Sequence, residues 1–319
     1  MGLRQTEWTK FEEEHPDLLF FIYKNTGENI PRSLPPDIIS YFETLTFKGK
    51  PNDLSKEHVD WDIIDNVASW TQKPKTDEAA YVYDDYDFFQ RQAPQKSGIE
   101  IIRQRRSALA YDGKTPITKE QFLSILDKTI PRNHCAPFDL ELGRTSIHLL
   151  LFVHRVSDLE PGLYFLIRNE KDFEEIKGKT HHDFLWERIK GAPDKLFIYF
   201  LKRGDFHNRA KTVSCQQEIA GDGVFSLGMI AKFRENVEKA PYLYHHLFWE
   251  TGMIGQVLYL EAEAHSVRGT GIGCFYDDMV HEILGFTENS FQSLYHFTVG
   301  AAVEDKRIAT LPSYYHLNA

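Results

Sequence analysis

The sequence of 319 residues contains only three cysteines, Cys135, Cys215 and Cys274, and no C-x-x-C pair. An odd number at wide spacings indicates neither a disulfide framework nor a zinc site. We therefore expect three reduced, buried thiols, because free cysteine behaves as a small hydrophobic residue. No apolar run reaches the length of a transmembrane helix, and the N-terminus lacks the pattern of a signal peptide. These absences predict a soluble, cytoplasmic protein with no membrane partner.

The chain also lacks a surplus of basic residues, since its net charge is −10. Residues 1–95 hold 10 Lys/Arg against 18 Asp/Glu, whereas residues 96–319 hold 27 against 29. Nucleic acid is therefore excluded as a partner, because binding it needs a basic face. The change in composition predicts an acidic N-terminal extension and linker over residues 1–96 and a main domain over residues 97–319.

The longest periodic segment predicts a helix over residues 242–264, with apolar side chains on nearly every face. A helix that is apolar all round is usually buried. Gly252 and Gly255 each cost roughly 1 kcal/mol of helix propensity relative to alanine. Their presence predicts the close approach of another backbone, and the excess of apolar surface predicts a homodimer.

The remaining patterns mix helices and strands without strict βαβ alternation, which predicts an α+β fold. Thr118 and Gln121 form a capping box that opens a helix ending at Pro131. Residues 213–234 predict a second helix with glycines in its middle. Strands are predicted over residues 145–155, 163–168, 194–201 and 291–299.

Shorter features give further expectations. Ser55 is a plausible N-cap of an early helix, and Asp278 of a short helix that ends at Gly285. Residues 81–89 hold five aromatic side chains among acidic ones. These aromatic residues favour an arm that is partly packed on the domain, whereas the alternative is a solvated acidic loop.

Glycine occupies every second position at Gly269, Gly271 and Gly273. The spacing is G-x-G-x-G after a helix, which does not fit the G-x-G-x-x-G of a dinucleotide-binding fold. Two interpretations stay open. One is bare backbone that holds a flat cofactor from one side, and the other is a strand whose glycines allow close packing.

The most concentrated cluster of positive charge includes Arg105 and Arg106, and Ser107 follows them directly. Guanidinium groups and a hydroxyl suit a phosphate, although such a cluster is also typical of a solvated face. Arg307 is a lone candidate of the same kind. His246 and Glu250 lie four residues apart on the long helix, but two ligands without a third favour a buried polar contact over a metal site.

Five sequence blocks, in order along the chain, resemble the nitroreductase superfamily, and most closely its branch of SagB-type and thiazoline-oxidase-like dehydrogenases. The resemblance covers about residues 97–312. The segment from Phe47 to Ser55 resembles the lead into the second domain of tandem members, which fits either a short form or the later part of such a protein. The blocks are IIRQRRSALAYDGKTPITKEQFLSIL, EPGLY, ETGMIGQVLYLEA, TGIGCFYDD and FQSLYHFTVG.

The resemblance implies a nitroreductase-like fold and an FMN-dependent oxidoreductase. The fold would have a central antiparallel or mixed sheet, flanking helices and a long buried central helix. FMN would lie at the interface of a homodimer, and hydride would pass through flavin N5 to or from a small-molecule or peptide-derived substrate. NAD(P)H is one candidate electron donor. No metal is implied.

Individual residues match the functional positions of this superfamily. Arg105, Arg106 and Ser107 match residues that bind the phosphate and ribityl oxygens of FMN. The range 272–274 matches backbone beside the flavin ring, where an N–H faces N5; its members are Ile272, Gly273 and Cys274. Arg307 matches a C-terminal arginine that binds the phosphate.

Two departures from the superfamily bear on activity. Leu109 stands where many relatives have Lys or Arg near the pyrimidine edge of the flavin, so less charge is available for a reduced flavin. Lys239 is the candidate catalytic residue, but no tyrosine adjoins it as in the azoline-oxidising relatives. The alternative function is therefore a degenerate flavin-fold protein that serves as a binding or scaffold partner without turnover.

Overall fold

The computed structural model describes residues 37–46, 59, 61–76, 81–87, 89, 96–133, 135–140 and 143–317. The chain divides into two units, residues 1–67 and residues 68–319. The boundary predicted at residue 96 stays a prediction. Ser55, the predicted N-cap, lies outside the described residues.

The second unit is built around one antiparallel sheet. Its strands are β1 (Ile147–Val153), β2 (Gly162–Ile167), β3 (Glu187–Arg188), β4 (Phe197–Arg203), β5 (Phe225–Lys232), β6 (Arg268–Ile272) and β7 (Phe291–Gly300). Their order across the sheet is β3-β4-β2-β1-β5-β7-β6. Both β1 and β5 are buried at every position, which explains why their sequences are continuous apolar runs and not alternating patterns.

Helices cover both faces of this sheet, which confirms the α+β class. The described helices are α1 (Ile38–Glu43), α2 (Asp62–Trp70), α3 (Gly98–Gln104), α4 (Lys119–Asp127), α5 (Phe173–Lys179), α6 (His207–Val213), α7 (Glu218–Asp222), α8 (Arg234–Lys239), α9 (Leu243–Ala264) and α10 (Asp277–Leu284). Residues of α4 and α9 share one core with one face of β1, and residues of α5, α6, α7 and α10 share a second core with the other face. None of the described helices is both long and apolar enough to cross a membrane.

Several predicted elements are confirmed. The capping box of α4 makes both of its hydrogen bonds, from the Gln121 amide to Thr118 Oγ1 (3.1 Å) and from the Thr118 amide to Gln121 Oε1 (2.9 Å). The helix ends at Asp127, before Pro131. The strands predicted over residues 145–155 and 163–168 are the antiparallel pair β1 and β2, and the predicted helix over 242–264 is α9.

The prediction of a single helix over residues 213–234 is wrong. Here α6 ends at Val213, α7 follows, and the segment then becomes strand β5 at the centre of the sheet. A buried apolar run shows no periodicity that separates helix from strand. Gly223 separates α7 from β5, and a Cβ there would lie 2.5 Å from Thr298 Oγ1 on β7.

The cap of α10 also differs from the prediction. Tyr276 occupies the N-cap position without a side-chain hydrogen bond, and Asp278 is already inside the helix. The predicted end is confirmed, because Gly285 has φ +86° in the left-handed region that favours glycine.

The described part of the aromatic arm is packed on the domain, as predicted. The Tyr83 hydroxyl donates to the Gly143 carbonyl (2.7 Å), and the Phe89 amide donates to Asp127 Oδ2 (3.0 Å). The Arg132 guanidinium lies 4.2 Å from the centroid of the Tyr86 ring. These contacts hold Tyr83, Tyr86 and Phe89 against the end of α4 and the segment between α4 and β1.

Helix α9 is buried along one side and partly exposed along the other. Phe248 and Trp249 are 39% and 38% exposed. A Cβ built at Gly252 would meet no atom within 4 Å, and one built at Gly255 would meet the Tyr295 ring at 3.6 Å. The close approach of another backbone predicted for these glycines is therefore not found among the described residues of this chain.

A buried ion pair joins α9 to the end of the β1–β2 hairpin. Arg168 Nη1 donates to Glu250 Oε1 at 2.5 Å, and the Ser146 amide donates to Glu250 Oε2 at 2.9 Å. The Arg168 side chain is fully buried. The buried polar contact expected for Glu250 is confirmed, and both of its carboxylate oxygens are used inside the protein.

Asp172, in the segment that follows β2, is a second buried carboxylate. Lys232 Nζ (3.1 Å), Arg144 and His148 Nε2 (3.4 Å) surround it. Burial alone would raise the pKa of Asp172, but these neighbours outweigh it and lower the pKa to about 2. Burial lowers the pKa of His148.

We predict that Glu250→Gln lowers the free energy of unfolding by about 3–5 kcal/mol, because it leaves the buried Arg168 guanidinium without a counter-charge. Glu238→Gln on α8 is the matched control. Its partner Arg234 lies 4.0 Å away and both side chains are exposed, so its effect should stay below about 0.5 kcal/mol. Urea denaturation measures both, and equal losses would contradict the assignment.

Candidate functional site

The candidate phosphate-binding residues follow α3 directly. This helix begins with a capping box in which Ser97 Oγ accepts the Glu100 amide and Glu100 accepts the Ser97 amide. At Arg105 the backbone leaves the helical region, with φ −55° and ψ 131°. The chain therefore turns away from the helix axis at the position where Arg105, Arg106 and Ser107 follow one another.

Two guanidinium groups converge on one carboxylate at this turn. Arg106 Nη2 lies 2.6 Å from Glu304 Oε2, and Arg268 on β6 pairs with the other oxygen of Glu304. Arg106 also donates to the Thr310 hydroxyl. The Glu304 carboxylate thus occupies an anion position between two arginines, and it can stand in for an external oxyanion such as a phosphate.

Tyr259 of α9 connects this turn to β6. Its hydroxyl hydrogen bonds to Ser107 Oγ (2.7 Å) and accepts the Gly271 amide (2.8 Å). The Arg105 guanidinium lies 4.7 Å from the centroid of the Tyr259 ring. Arg105, Ser107 and the glycine segment therefore meet at one side chain, which the sequence interpretation did not include.

The three alternating glycines have two different roles. A Cβ at Gly269 would lie 2.6 Å from the Phe297 ring, and a Cβ at Gly271 would lie 2.0 Å from Tyr295 Oη. Close packing therefore explains these two positions. Gly273 is exposed, and a Cβ there would meet no atom within 4 Å. Only at Gly273 does the glycine leave backbone open to a ligand.

The two neighbours of Gly273 differ in environment. Ile272 is the last residue of β6, is 2% exposed and pairs with His296 of β7. Cys274 forms a disulfide with Cys215, with a Cα–Cα distance of 5.8 Å. The expectation of three reduced, buried thiols is therefore wrong for this pair, whose sequence separation of 59 gave no sign that the fold brings them together. Cys135 is free and partly exposed.

A cavity of about 180 Å³ opens beside the arginine pair. The segment after β7 forms one wall, and Ser313 from this segment donates to the Arg103 carbonyl. Arg307 turns away, because its guanidinium is bound to Asp305 at 2.7 Å and its side chain is 89% exposed. The lining residues are Arg106, Ser107, Ala108, Leu109, Arg268, Val303, Glu304, Asp305 and Ile308.

Comparison with known protein families decides the assignment. The model of the nitroreductase family matches residues 102–301, well over half of the chain. The chain belongs to the nitroreductase family. The nitroreductase fold expected from the sequence is thereby confirmed, and membership supports a flavin-type oxidoreductase in general.

Solved structures with a similar fold are distant in sequence. A protein of Anabaena variabilis described as a candidate nitroreductase is 23% identical, with a TM-score of 0.48; the match covers 63% of this chain but only 37% of that one. A chain of the E. coli microcin synthetase McbBCD complex with truncated pro-MccB17 is 13% identical, with a TM-score of 0.47; the match covers 88% of this chain and 86% of that one. The NADPH:FMN oxidoreductase of Vibrio harveyi is 14% identical, with a TM-score of 0.39; the match covers 67% of this chain and 72% of that one. Comparison with curated proteins gives no match.

This member of the nitroreductase family has a second, larger cavity of about 530 Å³, which the candidate Lys239 lines. Its lining also includes Tyr83, Arg144, His246 and Glu250. The described residues contain no cluster of three or more potential metal ligands. The Glu250 carboxylate at this cavity is already bound by protein groups, as described above.

The two cavities lie near opposite ends of α9. Lys239 precedes the first residue of α9, whereas Tyr259 lies sixteen residues beyond that first residue. At a rise of 1.5 Å per residue this separation is about 24 Å. A single chain therefore does not bring Lys239 close to Ser107, and the catalytic role of Lys239 stays a prediction.

The residues at the smaller cavity fit FMN. Two guanidinium groups and the Ser107 hydroxyl at this cavity suit a phosphate. The open backbone at Gly273, beyond the other end of β6, suits the approach of a flat ring. Glu304 already holds the anion position, so a phosphate must displace it or bind beside it. Leu109, 77% exposed at this cavity, adds no charge for the ring.

We predict opposite effects on stability for two glycines of one segment. Gly269→Ala should lower the free energy of unfolding by about 1–3 kcal/mol, because its Cβ enters the fully buried Phe297 ring. Gly273→Ala should change it by less than about 0.5 kcal/mol, because the site is open. Thermal and urea denaturation measure both, and a destabilised Gly273→Ala would mean that this backbone is packed.

Proposed function

We propose that this chain is an FMN-dependent oxidoreductase of the SagB-type dehydrogenase kind. It would pass hydride to or from a small-molecule or peptide-derived substrate, with NAD(P)H as an electron donor. The observation that supports this best is the convergence of Arg106 and Arg268 on a single anion position at one end of β6, whose other end leads to the open backbone at Gly273. A cytoplasmic location stays a prediction.

Arg106 and Arg268 would hold the phosphate of FMN. A phosphate monoester carries more negative charge than a carboxylate and offers three acceptor oxygens. It therefore satisfies both guanidinium groups better than Glu304 does. Glu304 is 53% exposed, so its carboxylate can turn to water at little cost when a phosphate replaces it.

The remaining residues would position the flavin. Ser107 would bind a ribityl or phosphate oxygen, and its link to Tyr259 fixes its orientation. The backbone from Ile272 to Cys274 would lie beside the ring. When bound, FMN supplies reversible acceptance of hydride at N5, and the protein supplies position and hydrogen bonds.

One observation favours a second function. The lining of the smaller cavity has equal numbers of positive and negative groups, Arg106 and Arg268 against Glu304 and Asp305. Together with the uncharged Leu109, this arrangement would suit a flavin-fold protein that acts as a binding or scaffold partner without turnover. The two functions differ in whether the bound flavin accepts electrons.

The deciding experiment mixes FMN-loaded protein with NADH or NADPH without oxygen and follows the flavin absorbance. Bleaching within the time of turnover supports the oxidoreductase. Bound flavin that neither donor bleaches, and that an artificial reductant does bleach, supports the binding protein. Protein that binds no FMN contradicts the oxidoreductase.

We predict that Arg106→Ala weakens FMN binding by about one to two orders of magnitude. A hydrogen bond to a charged group contributes roughly 1.5–3 kcal/mol, which corresponds to that loss of affinity. Lys239→Ala is the control, because Lys239 lines the other cavity and its loss should affect turnover alone. Fluorescence titration of the apo variants with FMN measures both affinities. A larger loss of FMN affinity in Lys239→Ala than in Arg106→Ala would mean that the phosphate binds at the larger cavity.

We also predict a homodimer that uses the exposed side of α9. Gly252→Leu should shift the dimer to monomer, since its open surroundings leave the chain itself undisturbed. Gly178→Leu on α5 is the control, because a Cβ there also meets nothing within 4 Å. Light scattering during gel filtration measures the mass. A monomeric wild type, or two variants that both remain dimers, would contradict this interface.

A further inference from the structure

The disulfide between Cys215 and Cys274 lies beside the open backbone of the candidate site. Cys274 follows Gly273 directly and is exposed, and Cys215 lies in the turn between α6 and α7 and is partly exposed. The bond therefore joins this turn to the segment between β6 and α10. Water and small solutes can reach the sulfur of Cys274.

The turn that carries Cys215 has an uncommon backbone. Cys215 and Gln216 have φ values of +54° and +60°. Two consecutive residues other than glycine in the left-handed region are unfavourable and persist only where their surroundings hold them. The covalent bond to Cys274 supplies such a constraint, so this turn can relax when the bond is broken.

Other contacts keep the two segments together without the bond. The Tyr276 amide donates to the Val213 carbonyl at 2.8 Å, and Gln217 Nε2 donates to the Cys274 carbonyl at 3.4 Å. His296 contacts both sides, because its ring stacks on Phe275 at 4.5 Å and its Nδ1 lies 3.3 Å from Ser214 Oγ. Two thiols at these positions would therefore stay close enough to reoxidise.

We propose that Cys215 and Cys274 are a reversible thiol–disulfide site that exchanges with dithiols in solution and sets the conformation of the 273–275 segment. A thiolate of the dithiol attacks the exposed sulfur of Cys274, and Cys215 leaves as a thiolate that takes up a proton. The second thiolate of the dithiol then displaces Cys274. The net change is two protein thiols and one cyclic disulfide, with two electrons and two protons transferred.

The effect on ligand binding rests on the proposed function. The oxidised pair holds residues 273–275 in one conformation, so binding a flavin there costs less ordering of the chain. Reduction releases the 214–217 turn and with it this segment. The oxidised protein should therefore bind FMN more tightly than the reduced protein, by roughly threefold or more.

Alkylation of the native, full-length protein with N-ethylmaleimide tests the exchange. Before reduction only Cys135 should react. After reduction by dithiothreitol and its removal, Cys215 and Cys274 should each gain an adduct in peptide maps. Reoxidation with oxidised glutathione before the alkylation should restore their protection. Adducts on both without reduction, or only after denaturation, would overturn the proposal.

Hydrogen exchange of the two redox states tests the conformational part. Amides of residues 213–217 and 273–276 should exchange faster after reduction, whereas those of β1 should not change. Cys274→Ser should show the faster rates with and without dithiothreitol. Equal exchange and equal FMN affinity in the two states would overturn the control of the segment. Reversible reduction of the disulfide in a protein that binds no FMN in either state would instead contradict only the proposed function.

Discussion

The position of α9 depends on aromatic rings that fill the space left by two glycines of β6. The Phe297 ring lies where a side chain at Gly269 would be, and it packs edge-on against Tyr259 with centroids 4.8 Å apart. Tyr295 fills the corresponding space at Gly271. Because Tyr259 also binds Ser107 and the Gly271 amide, the packing of the long helix and the geometry of the candidate site share one residue.

Electrostatics links the fold to the site in a different way. The deeply buried ions are neutralised locally, as in the Arg168–Glu250 pair, since an unpaired charge in the interior is costly. At the candidate site Arg106 and Arg268 share Glu304 in contact with water. Replacement of that carboxylate by a phosphate would bring more negative charge to the two arginines without burying an unpaired ion. If a phosphate replaces that carboxylate, as we propose, a chain of net charge −10 would bind an anion at one place without carrying a basic surface.

The sequence predicted the elements whose signals are local. The capping box at Thr118 involves neighbouring residues, and α9 is long and strongly apolar, so both were found. Strand β5 was missed because its apolar run fits either a buried helix or a buried strand. The strand conformation of β5 is selected by pairing with β1 and β7 on either side, and those partners are distant in the sequence.

The candidate site was predicted in part, for the same reason. Arg106 and Ser107 stand in a recognisable block, and the structure places both at one cavity. Tyr259 and Glu304 were missed, because each acts through a contact with a residue more than a hundred positions away. The disulfide was missed because a spacing of 59 residues carries no signal until the turn after α6 and the end of β6 are known to be neighbours.

The separation of the two cavities along α9 limits what a single chain can do. Lys239 precedes the first turn of α9, whereas Ser107 contacts Tyr259 in the second half of this helix, so no rotation of side chains brings them together. A two-fold axis that crosses α9 at right angles near Gly252 would pair α9 with its copy in antiparallel fashion, because it places each residue against the residue equally far on the other side of Gly252. The first turn of one copy would then lie beside the last turn of the other. In that arrangement each flavin site would take its phosphate-binding residues from one chain and Lys239 from the other, so loss of the dimer would remove turnover before it removed the phosphate site.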